Sequence, residues 1–290
     1  MQKQNRKKTI HPPQHQNKQP GLESRMKPLP EFYDLSYRAS GKLKGKVALI
    51  TGGDSGIGRS VAAHFASEGA HIAIVYLNES TDAKDTQDFI KANFNVNFLK
   101  IKSDIRVEKN CNDIVRRVIK EFGIINILVN NAAIHFPQKS ILDISARQLE
   151  TTFRTNVFSM FYLIKAAIPK MKRGDCIINT ASVTAYRGSG HLIDYSATKG
   201  AIISLTRSLA GSLADKGIRV NAVAPGPVWT PLIPSSLSRK EVKVFGSDVP
   251  LKRAAEPREI APAYVYLANE DSGFVTGQVI HPNGGEIVNG

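Results

Sequence analysis

The chain has few of the residues that staple or anchor a protein. It holds two cysteines, Cys111 and Cys176, in 290 residues. They have no metal-ligand spacing, and each falls in an apparent helix or strand. Buried reduced thiols are therefore expected, rather than a disulfide framework or a zinc site. No run of about 18 apolar residues occurs, so no membrane-spanning helix is implied. The basic start is followed by no apolar signal-like core, and the expected setting is the cytoplasm. Acidic residues are scarce at the start: residues 1–46 hold eleven Lys/Arg against Glu23, Glu31 and Asp34. More than half of the formal net charge of +14 thus sits in the leader.

Residues 1–43 are rich in Gln, Pro, Lys and Asn and lack apolar periodicity. That composition predicts an extended or partly disordered basic arm. Its plain use is solubilising or subunit-wrapping, and nucleic-acid or anionic-surface binding is the alternative. A different regime covers 44–290. "KVALIT" is a short apolar run ending at glycines, as a buried parallel strand should be. "GRSVAAHFASEGA" then shows helical spacing and stops at Gly69. Strands continue at "HIAIVYL", "VNFLKI", "INILVN", "DCIINTA", "IRVNAVA" and "QVIHP". Helices are predicted near 79–93, 107–122, 145–172, 191–215 and 257–268. This alternation predicts a single α/β domain, a Rossmann-like doubly wound parallel sheet of about seven strands with helices on both faces.

"TGGDSGIG", residues 51–58, joins the first strand to the first helix. Gly52, Gly56 and Gly58 lack Cβ atoms where the backbone must turn sharply and approach a ligand. The following helix start offers free N–H groups to a pyrophosphate, with Asp54, Ser55 and Ile57 in the same turn. Glycines also mark ordinary strand–helix turns, but this position in an alternating chain points to dinucleotide binding. An acid is expected at the end of the second strand to hold the adenosine ribose. Tyr76 and Leu77 stand there, and Glu79 follows. No arginine for a 2′-phosphate is evident, and Asp54 would repel one, so the balance leans to NAD over NADP. Asp104 and Ile105, after the third strand, are candidates for the adenine. The plainer use of Asp104 is to cap the next helix, and adenine binding is the favoured reading.

Tyr195 and Lys199 lie four apart in "DYSATKGA", one turn apart on one helical face. A neighbouring ammonium favours a phenolate, which would lower the barrier to using tyrosine as a base. "TGGDSGIG", "NNAA" at 130–133, Asn156 in "RTNVFSM", Ser182 in "INTAS", "YSATK" at 195–199 and "PGPVWT" at 225–230 occur in order. Together they resemble the single-domain short-chain dehydrogenase/reductases over roughly residues 44–290. The arm "PPQHQNKQPG" further resembles a bacterial general-stress oxidoreductase subgroup of that family.

The resemblance implies an NAD(P)-dependent oxidoreductase acting on an aldehyde, ketone or secondary alcohol. Tyr195 would move the proton, Ser182 would polarise the carbonyl, and Asn156 would help hold a proton-relaying water. Lys199 would tune Tyr195 and hold the nicotinamide ribose. Asn131, Ala132 and Ala133 would run beside the cofactor, and Asn130 would tie strands. Ala133 stands where the family has glycine. Pro225, Gly226, Val228 and Thr230 would hold the carboxamide end. Trp229 and the segment 230–250, with Ile233, Leu237 and Phe245, are expected to form a substrate lid. No metal is called for. His64 and His135 read as structural or exposed, and His191 as a residue with some claim to touch substrate. A homotetramer is the family expectation. The competing reading is a catalytically silent dinucleotide sensor or scaffold of the same fold.

Overall fold

The computed structural model describes residues 9–288; Lys3, Arg6, Lys7 and Lys8 of the basic leader lie outside the described residues. After the arm the elements run β1 (Val47–Thr51), α1 (Gly56–Ser67), β2 (His71–Tyr76), α2 (Ser80–Asn93), β3 (Phe98–Lys102), α3 (Glu108–Phe122) and β4 (Ile127–Asn130). The second half runs α4 (Ala146–Phe153), α5 (Ser159–Ala167), β5 (Cys176–Thr180), α6 (Thr184–Arg187), α7 (Ile193–Leu213), β6 (Arg219–Val223), α8 (Arg239–Val244), α9 (Pro257–Ala268) and β7 (Val279–Ile280). All seven strands pair in parallel, in the order β3-β2-β1-β4-β5-β6-β7. The order reverses between β1 and β4, which opens the crevice where doubly wound folds bind their ligands.

Strand alternation builds two apolar layers. Val47 and Leu49 of β1, Leu128 of β4 and Ile177 of β5 face α3, α5 and α7. Ala48 and Ile50, Ile127 and Val129, and Cys176 and Ile178 face α1, α2 and α9. Every residue of β1, β4 and β5 is buried, which is why these strands read as unbroken apolar runs. Both cysteines are free and buried, and desolvation pushes each thiol up to about 12.

Two expectations change. The helix predicted over 145–172 is broken: a five-residue π-helical turn, Arg154–Phe158, separates α4 from α5. Asn156 lies inside that turn, with its amide drawn off to another segment, and such bulges often sit at functional places. The arm also differs. Residues 9–43 have little regular structure, but they are laid along the domain rather than left in solvent. Met26 is buried with Trp229, Ile233, Val242 and Ala254 in a third apolar cluster. Trp229 is 0% exposed, stacks on His11 at 3.8 Å and donates its indole N–H to the Pro28 carbonyl at 3.0 Å. Trp229 therefore anchors the arm and does not belong to a lid.

Candidate active site

β1 ends in a turn whose backbone needs glycine: Gly52 and Gly56 have φ of +62° and +52°. Gly58 meets a different need. A Cβ there would lie 1.9 Å from the Gly52 carbonyl oxygen, so it lets α1 close onto the turn and does not border the cavity. The first amide of α1 is already used: Gly56 donates to Glu23 of the arm at 2.6 Å, and Glu23 also pairs with Arg59 at 2.8 Å. Burial pushes the Glu23 carboxyl up, and Arg59 opposes it. Asp82, at the start of α2, accepts from the Glu23 and Ser24 amides at 2.6 and 3.2 Å and so pins the arm to this corner.

A cavity of about 820 Å³ follows the crevice from β2 and β3 to the start of α7. That lies in the upper part of the range for small-molecule sites. One end holds Tyr76, Leu77, Asp104 and Ile105; the middle holds Gly52, Asp54, Ser55, Gly56 and Ile57. Asn131, Ala132 and Ala133 line it beyond β4, and Pro225, Gly226, Val228 and Thr230 line it beyond β6. The far end holds Ser182, Tyr195 and Lys199. Every predicted cofactor contact except Gly58 thus borders one continuous space. Asn130 faces away and donates to Asn179 across the sheet at 2.9 Å, the strand-tying place expected of it.

Asp54 is buried beside Glu79, and its carboxyl is pushed up to about 8, first by desolvation and then by Glu79. Asp104 is held below the usual carboxylate range by Arg106, whose side chain forks onto it at 2.6–3.1 Å. Its Oδ1 also accepts the Arg106 amide, so it closes a turn ahead of α3, which starts after Val107. The sequence reading did not anticipate this ion pair.

The catalytic candidates converge. Lys199 donates to the Thr180 carbonyl at the end of β5, at 2.7 Å, and its Nζ lies 5.3 Å from the Tyr195 ring centre. Ser182 lies near the phenol and draws its pKa down. Ser182 is held in turn by the Thr184 amide and hydroxyl at 3.2 and 3.1 Å. The start of α7 is fixed by Asp194, which accepts from the Tyr195 amide, Thr152 and Gln148. The electrostatics run against the expected tuning. Burial pushes Tyr195 up to about 12, with Ser182 pulling back, and pushes Lys199 down to about 7. Both groups are driven toward their neutral forms because both are enclosed, and desolvation leads each shift.

Asn156 does not border the cavity. Its amide clamps Ile134, accepting from the backbone N–H at 2.9 Å and donating to the carbonyl at 2.9 Å, with a second donation to Thr198 at 3.1 Å. Ile233, Leu237 and Phe245 do line the cavity, with α8 behind them. His191 lies exposed at the rim, and His64 is buried in α1 with Nδ1 on the Ser60 carbonyl. His135 was read as structural or exposed, yet it is buried, borders the cavity and packs edge-on against Tyr195 at 5.1 Å. Gln19 of the arm reaches the same place, donating to the His135 carbonyl at 2.7 Å. No sequence signal marked either residue, since the fold brings them from distant segments.

Apolar walls at one end, a helix start in the middle and a Ser–Tyr–Lys cluster at the other suit a nicotinamide dinucleotide. Fold and site together define a class: dinucleotide-dependent α/β oxidoreductases. Comparison with known proteins gives the family. Residues 52–286 match the model described as enoyl-(acyl carrier protein) reductase. The chain is 58% identical to "Uncharacterized oxidoreductase YhxC" of Bacillus subtilis, over 99% of both chains. It is 51% identical to "Glucose and ribitol dehydrogenase" of Daucus carota, over 96% of this chain and 98% of that one. A solved short-chain dehydrogenase from Burkholderia cenocepacia in complex with NADP superposes with a TM-score of 0.79 at 28% identity, covering 84% of this chain and 98% of that one. The chain belongs to the short-chain dehydrogenase/reductase family and is an NAD(P)-dependent oxidoreductase.

Proposed function

We propose that the chain interconverts a carbonyl and an alcohol, on an aldehyde, ketone or secondary alcohol, with Tyr195 as the proton-transferring acid and base. The carrying observation is the enclosed Ser182–Tyr195–Lys199 cluster at the end of the dinucleotide-shaped cavity. The nicotinamide supplies the hydride chemistry when bound. A phenol held neutral by burial carries the proton that carbonyl reduction takes up. Ser182, fixed by Thr184, donates to the substrate oxygen, where a preorganised donor counts most. Lys199 would hold the ribose hydroxyls of a bound dinucleotide and would support the phenolate in the oxidative direction. Asn156 acts by holding the Ile134 backbone behind the site.

Glu79 lines the adenosine end, and a carboxylate there favours an unphosphorylated ribose and so NAD. The NADP carried by the Burkholderia relative makes NADPH the other arm of the test. We assign a homotetramer on the family pattern, supported by exposed Leu149, Phe158 and Phe161 on and between α4 and α5. A reducing compartment such as the cytoplasm suits two free buried thiols. No helix among the described residues is long and apolar enough to cross a membrane. The arm's described residues are spent on its own domain, which favours a structural use over nucleic-acid binding.

The test is to titrate NADH and NADPH by fluorescence and then screen aldehydes, ketones and sugar alcohols with the tighter binder. Turnover of one carbonyl class supports the enzyme reading. Tight dinucleotide binding with no turnover across the panel supports the silent-sensor reading instead.

A further inference from the structure

The arm crosses the mouth of the site. Gln19, Pro20 and Gly21 border the same cavity as Tyr195 and the glycine turn. They lie between two attachments. On one side Gln19 brackets the His135 backbone, donating to its carbonyl at 2.7 Å and facing its N–H at 3.4 Å. On the other, Glu23 accepts the Gly56 N–H and pairs with Arg59, while Asp82 accepts the Glu23 and Ser24 amides. His135 follows β4 and packs on Tyr195 of α7, whereas Gly56 opens α1 and Asp82 lies in the first turn of α2. α7 covers one face of the sheet, and α1 and α2 cover the other. The arm therefore runs from one wall of the crevice to the opposite wall.

The span is braced, and it is seated on the lid segment. The Gln16 side chain accepts the Leu22 N–H at 2.7 Å and donates to the Leu22 carbonyl at 2.8 Å, which closes residues 16–22 into a loop. The Gln16 amide donates to the Pro234 carbonyl at 2.7 Å. Gly21 packs so closely that a Cβ there would lie 2.6 Å from the Pro231 carbonyl oxygen. The ends of the span are held independently of it. His11 stacks on Trp229, and Met26 is buried in the third apolar cluster. The loop between them can open while the arm stays attached. Its weakest fastening is Gln19, with one good hydrogen bond and one long one. A dinucleotide reaching from the adenosine end to Tyr195 has to pass beneath this strap.

We propose that residues 16–21 form a latch over the dinucleotide site, clasped by Gln19 on the His135 backbone, which opens for the dinucleotide to enter and to leave. This rests on the dinucleotide dependence of the family and not on the assignment of the reacting groups. A step of opening before binding lowers the association rate and caps it at high ligand concentration.

Stopped-flow nicotinamide fluorescence on the full chain reads the rates, with NADH and with NADPH. Two variants loosen the latch: Gln19→Ala removes the clasp, and Gly21→Ala drives a methyl group against Pro231. In wild type the association rate should level off as the dinucleotide is raised. In both variants the plateau and the release rate should rise together, by about threefold or more, as for the loss of one hydrogen bond. A rise in release alone, at an unchanged plateau, makes Gln19 a simple contact and overturns the latch. Rates that match wild type, or a wild-type rate that stays linear, overturn it too. Hydrogen exchange on wild type needs no variant. The Leu22, Glu23 and Ser24 amides should exchange more slowly with saturating dinucleotide, because binding favours the closed loop. Unchanged exchange overturns the proposal. Failure of both NADH and NADPH to bind overturns the dinucleotide dependence, and this inference falls with it.

Discussion

At the residue scale, the site's groups are set by enclosure. Tyr195, Lys199, Asp54 and His135 are all displaced toward neutral forms, and desolvation leads each cause. Asp54 gives this a measurable sign. Its folded carboxyl keeps a proton up to about 8, while an unfolded one loses it near 3.8. Between those values the folded state binds more protons, so stability falls as pH rises. Asp54→Asn removes the penalty. Urea unfolding of the dinucleotide-free protein should show the variant gaining on wild type by up to about 1.4 kcal/mol per pH unit across that window. A flat difference would mean that Asp54 is ionised in the fold. The acidic residue was visible in the sequence, but its burial against Glu79 was not, because only α2 packing on the turn creates it. The same holds for Tyr195 and Lys199. Their four-residue spacing was plain, whereas the direction of their shifts depends on how little water reaches them.

At the element scale, strands and most helices were legible because burial on both faces writes itself as apolar runs, and surface helices as periodic ones. β1, β4 and β5 are such runs, and α9 spans the predicted 257–268. The π-helical turn at Arg154–Phe158 was hidden, since the residues around it keep helical spacing and its Asn156 pairs with a distant segment. Asn156 satisfies both backbone groups of Ile134 and one lone pair of Thr198. Asn156→Ala should therefore cost roughly 2 kcal/mol or more, as partly enclosed polar groups lose their partners. It should also lower kcat more than dinucleotide affinity, because the loop it holds carries His135. Urea denaturation and steady-state kinetics check the two halves.

At the scale of the whole molecule, the arm is part of the domain. Composition predicted an extended or partly disordered leader; the described part is extended, yet it contributes Met26, His11 and Glu23 to buried contacts. The sequence could not show this, because a chain with no periodicity can still lie in a groove that other elements provide. Trp229, the single tryptophan, reports on it directly. Deleting residues 1–40 should red-shift its emission and lower unfolding stability on the order of 3 kcal/mol or more through lost burial of aromatic and Met surface. Unchanged emission would mean that the arm does not cover the indole. The glycine turn, Ser182, Tyr195 and Lys199 were legible as ordered motifs, while Gln19, Arg106 and His135 joined the cavity lining only through the fold. The central claim concerns one oxygen atom, and one substitution isolates it. With the best carbonyl substrate, Tyr195→Phe should lower kcat by about 10²-fold or more while leaving the dinucleotide dissociation constant within about twofold of wild type. Turnover near the wild-type level in that variant would contradict the account.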